Sequence, residues 1–208
     1  MKMTLGKTII AATALSVSAA NAGILDFQDL ADGAYGESAW STLNLSVDGV
    51  DVMITGHAGN NDAYAYLDSQ RAGLGVCKDP SGAINTKHPG SKTNLCVPNT
   101  DDNVTTDEWL SFVFSEDVSI SKLWFNNNHD GGFSGGEKAN IDGDAYDISS
   151  GEVDGAFAVS AGDAFMVSYN NQQFYVGAME LARVPEPATL GLLGLSLLGM
   201  GYARRRKA

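Results

Sequence analysis

The 208 residues hold no His-Glu-x-x-His and no glycine-rich phosphate loop. Zincin and P-loop chemistry therefore lack their sequence carriers. The three histidines, His57, His88 and His129, read as loop residues without His-x-x-x-His spacing, so there is no zinc-ligand pattern. The chain reads as non-enzymatic. A glycan-acting hydrolase remains the weakest alternative, because a working pair of carboxylates leaves no mark in a sequence. Basic residues are also scarce, 13 Lys and Arg against 25 Asp and Glu, and six of the 13 lie in the two termini. The stretch between the termini has seven basic against 24 acidic residues, a net charge of about −17. Such a surface disfavours nucleic acid and anionic lipid, and suits an extracellular protein or one that meets cations.

What is present is clearest at the ends. Met1 to Ala22 carries Lys2 and Lys7, then the apolar run Ile9 to Ala20, and closes on Ala20-Asn21-Ala22. This is the pattern of a secretory signal peptide, exported through the Sec machinery and cut to leave Gly23 first. At the other end Pro185-Glu186-Pro187 precedes an uncharged run, Thr189 to Ala203, and the basic tip Arg204, Arg205, Arg206 and Lys207. Fifteen helical residues span roughly 22 Å against a hydrocarbon core of about 30 Å, a marginal membrane helix with a cytoplasmic stop.

Part for part, this tail resembles the C-terminal sorting signal of PEP-CTERM exported bacterial proteins. The resemblance implies recognition of the Pro-Glu-Pro by an exosortase, a membrane-embedded transpeptidase-like enzyme. It also implies transient insertion in the inner membrane, removal of the helix, and a final place outside the cell, at its surface or on the outer membrane. The family's association with exopolysaccharide and biofilm makes a surface or matrix protein the leading expectation. The expected organisation is a signal peptide at 1–22, an exported domain at 23–183 and a sorting signal at 184–208.

Inside the exported domain the apolar period is two. Leu43 to Val47 and Val50 to Thr55 alternate on either side of Asp48-Gly49, a dipeptide favoured in type I′ hairpin turns. About ten such short runs, separated by Gly, Asn and Asp, predict an all-β antiparallel β-sandwich, jelly-roll-like, with no convincing amphipathic helix. Ile24 to Leu30 reads as an opening strand. Trp109, Phe112, Phe114, Trp124, Phe165 and Phe174 are expected in or beside the core. Residues 70 to 130, with Gly73-Leu74-Gly75-Val76, Asp101-Asp102-Asn103 and Glu108 to Phe114, are similar to a pattern of PEP-CTERM proteins with lectin-like jelly rolls.

Two cysteines, Cys77 and Cys96, in an oxidising compartment predict one disulfide closing a weakly apolar loop. Oxygen-rich loops suggest Ca²⁺, with Asp101, Asp102, Asn103, Asn126, Asn128 and Asp130 ahead of the Asp142 turn. A calcium-dependent carbohydrate-binding module is thus the second expectation, with Trp40, Tyr64 or Tyr66 as the exposed aromatic. An aromatic row on a strand is more often core, and Asn, Asp and Gly are ordinary turn residues.

Overall fold

The computed structural model describes residues 22–184. Ala20, the Pro-Glu-Pro and the basic tip lie outside them, while Ala22 and Gly23 open the first strand.

The first strand, β1 (Ala22–Asp26), is followed by α1 (Phe27–Asp32), so the expected opening strand stops early. Asp26 ends it by capping: its carboxylate accepts from the Asp29 amide at 2.9 Å, satisfying a donor that a helix start leaves free. A six-residue helix is too short to show a 3.6-residue period, and it buries only Phe27 and Ala31.

Among the described residues fourteen strands, β1 included, divide between two antiparallel sheets. One sheet contains β12 (Glu152–Val159), β9 (Val118–Asn126), β14 (Tyr175–Arg183), β7 (Gly73–Cys77), β6 (Tyr64–Asp68) and β2 (Ser38–Trp40) in that spatial order, with β1 also paired to β14. The facing sheet contains β11 (Asp144–Asp147), β10 (Lys138–Ile141), β13 (Ala164–Tyr169), β8 (Glu108–Phe114), β4 (Val50–Ala58) and β3 (Leu43–Val47), with β5 (Asn61–Asp62) against β4. The chain is therefore a β-sandwich, and its core lies between the sheets. Leu43, Ile54, Phe112, Phe114 and Phe165 are buried on one inner face, and Leu74, Leu123 and Met179 on the other.

The β3–β4 hairpin turns where its dipeptide requires. Asp48 and Gly49 both take positive φ, 49° and 79°, the left-handed pair of a type I′ turn. Asp142 and Gly143, at 49° and 93°, make the same turn between β10 and β11.

Tryptophan placement departs from expectation. Trp109 and Trp124 alternate with buried neighbours and so fall on the outer faces, half-buried. Trp109 pairs across the ladder with His57, which lies on β4 and not in a loop; the two rings stack 4.9 Å apart and 5° from parallel. Lys122 sits 5.5 Å from the Trp124 ring.

Candidate functional site: a carboxylate cleft

Three segments meet where β6 turns into β7. The turn itself runs Ser69 to Ala72, with Gln70 and Arg71 both left-handed at φ 60° and 66°. Asp32, at the end of α1, holds this strained turn by accepting from the Gln70 amide at 2.5 Å. A short 3₁₀ helix after β9, Asn128–Asp130, lies against it. Asn128 donates to the Gln70 and Arg71 carbonyls at 3.3 and 3.0 Å, and Asn126 donates to the Ala72 carbonyl. The third segment, Lys92 to Asp102, leaves the disulfide loop. Cys77 and Cys96 are bonded, as their compartment predicts, and this ties that segment to the end of β7.

Between these segments opens a cleft of about 320 Å³. Asp68, Asp102 and Asp130 line it, and Glu37, fully buried, lies against Asp68. Two tyrosines join the carboxylates. Tyr66 donates to Glu37 Oε1 at 2.5 Å, and Tyr175 donates to Asp102 Oδ1 at 2.7 Å. Asn94 donates its amide to Asp102 Oδ2 and takes Tyr66 as a second contact at 3.2 Å.

Burying three carboxylates this closely is costly unless cations or protons neutralise them. Burial, then the neighbouring charges of Glu37 and Asp102, pushes the Asp68 carboxyl up to about 9, so it holds a proton at neutral pH. Burial also raises Asp102, against the hydrogen bonds from Tyr175 and Asn94 that lower it. Both phenols are raised far out of the physiological range, burial first and the adjoining carboxylates next, and they remain donors.

Asp68 is 2% exposed, and its Oδ2 accepts no hydrogen bond apart from its 2.9 Å contact with His129 Nδ1. The other ring nitrogen of His129 faces the Gln70 carbonyl at 3.3 Å, an acceptor that calls for N–H there. The contact to Asp68 then needs its own proton, on the ring or on the carboxyl. Further buried polar atoms without partners adjoin the cleft in sequence: Ser69 Oγ beside Asp68, and Asn103 Oδ1 beside Asp102.

The expected calcium residues separate here. Asp102 and Asp130 share the cleft, and Asn103 bridges to Asp130 at 2.7 Å. Asp101 turns to Lys78 at 2.9 Å, and the same ammonium meets the buried Glu108 at 2.8 Å. Asn126 and Asn128 spend their amides on backbone carbonyls. Among the described residues no group of three His, Cys, Asp or Glu stands at metal-holding spacing.

Of the expected ligand aromatics, Tyr66 is fully buried and so is no exposed platform. Tyr64 is half-buried over the disulfide. Trp40 is half-buried, edge-on to Tyr35, with its N–H on Ser38 at 2.9 Å. Sequence reasoning did not single out Glu37, Asp68 or Tyr175. Asp68 ends an apolar strand before a turn, where an acidic residue reads as turn chemistry.

Residues 183–207 match the family model of the PEP-CTERM protein-sorting motif. The motif marks an exported protein processed by exosortase and held at the membrane or cell surface. No curated protein and no solved structure matches the chain.

Proposed function

We propose that this is a non-enzymatic protein of the cell surface or extracellular matrix, delivered by exosortase and retained outside the cell with exopolysaccharide. The observation that carries the reading is the sorting motif at residues 183–207. A disulfide-closed, strongly acidic sandwich suits that compartment. Fractionation of the producing cells tests it. The mature chain, lacking its arginine tip, should co-purify with extracted exopolysaccharide. Recovery of the intact chain in the inner membrane would sink the proposal.

A second reading, a carbohydrate-binding module, is favoured by the cleft, whose nine lining residues are all polar or charged. Sugars are recognised by such convergent polar groups. In its calcium-dependent form this reading rests on Asp102 and Asp130, and binding that EDTA abolishes would single that form out.

A further inference from the structure

We propose that the cleft binds a primary ammonium group carried on a sugar ring, an amino-sugar unit of a polysaccharide. The inference rests on the carbohydrate-binding reading and names its ligand class.

The first argument is charge. Asp68, Asp102 and Asp130 face the cleft with Glu37 behind them, while the basic side chains lining it are His129 and the exposed Lys92. Four carboxylates thus stand against two basic groups, and a proton on Asp68 makes up part of the difference. A ligand cation takes the place of that proton. Asp68 is the side chain that points to it, being 2% exposed, lining the cleft, and with an oxygen that no N–H or O–H donor satisfies apart from the His129 ring.

The second argument is spacing. Tyr175 and Asn94 hold the carboxylates apart, and no three acidic or imidazole groups among the described residues converge at metal-ligand distance. A metal ion needs six to eight oxygens drawn in to about 2.3–2.6 Å. An ammonium instead donates hydrogen bonds of about 2.8 Å to acceptors set farther apart. About 320 Å³ is also room for a small organic ligand, at the lower end of such sites, and far more than one ion fills.

The third argument is lining chemistry. Gln70, Asn94, Asn99 and Thr100 surround the carboxylates with amide and hydroxyl groups that both donate and accept. Ring hydroxyls match such a wall. A lysine side chain does not, because its methylenes seek apolar contact and no apolar residue lines the cleft.

The experiment uses the mature protein recovered after export, titrated calorimetrically at neutral pH with glucosamine, N-acetylglucosamine and glucose. Glucosamine should bind about tenfold more tightly than the other two, which share its ring but lack the charge. Asp130→Asn, at an exposed position that keeps its oxygen for Asn103, should weaken glucosamine about threefold, and Asp68→Asn tenfold or more. Equal affinity for the three sugars overturns the proposal, as does glucosamine binding untouched by both variants. Calcium that excludes glucosamine from the cleft, or oligolysine that binds more tightly than a glucosamine oligomer, also overturns it. A preference for neutral sugars leaves the carbohydrate-binding reading standing and removes only the ammonium. Failure of all sugars to bind removes both.

Discussion

Tyr175, the first residue of β14, donates its hydroxyl to Asp102 Oδ1 at 2.7 Å across 73 positions of sequence, and both groups are buried. This bond joins the start of β14 to the segment that leaves the disulfide.

Tyr175→Phe keeps the ring and removes the donor. Asp102 then loses one of two bonds that offset its burial, so the variant should be about 1–3 kcal/mol less stable in urea unfolding. An unchanged midpoint would show that solvent already satisfies Asp102.

Asp68 makes stability depend on pH in a direction opposite to an ordinary paired carboxylate. Its folded pKa of about 9 lies above the unfolded value, so in that window the folded chain holds a proton that the unfolded chain lacks. Stability should fall as pH rises from about 5 to 9, by up to roughly 1 kcal/mol per unit. Asp68→Asn, neutral at every pH, should flatten that slope. Thermal melts of both proteins across the range decide it, and parallel curves would assign the proton elsewhere in the cluster of Glu37, Asp102, Asp130, Tyr66, Tyr175, His129 and Lys92.

The disulfide closes a loop of 19 residues of separation, and little apolar surface holds that loop otherwise. Replacing both cysteines by serine should cost about 3 kcal/mol. It should also speed proteolysis within residues 78–95, while cleavage in the facing sheet stays slow.

Gly75 lies in buried β7, and a Cβ there would stand 2.0 Å from the Asp102 carbonyl oxygen and 2.7 Å from the Asn103 Cα. Backbone cannot swing aside as a side chain can. Gly75→Ala should therefore cost about 1–3 kcal/mol or more and shift the Asp102 wall, which fluorescence of Tyr175 and amide shifts of residues 101–104 would report. A variant as stable as the parent would mean that the Asp102 strap yields freely.

The sandwich was legible because period-two alternation and Asp-Gly turns are local, and Leu43 to Ile54 carry both. The α1 helix was not, since six residues hold less than two turns and only the capping of Asp29 by Asp26 ends the strand. Trp109 and Trp124 show a further limit. Alternation locates two faces, but hydrophobicity alone does not say which face a large aromatic joins when lysine or histidine covers its ring. Of the cleft, Asp102 and Asp130 stood out as loop acids. Glu37 is drawn in by Tyr66 and Asp68 by His129, both far off in sequence, and no short window of sequence contains those contacts.

β14 also sets an orientation. It brings Tyr175 to the cleft at one end and runs roughly 25–30 Å to Arg183 at the other. Its neighbour β1 runs back along it, with Ala22 opposite Ala182, so both chain ends leave the sandwich side by side. Val184 and the cleft therefore lie at opposite poles of the sandwich, with the length of β14 between them.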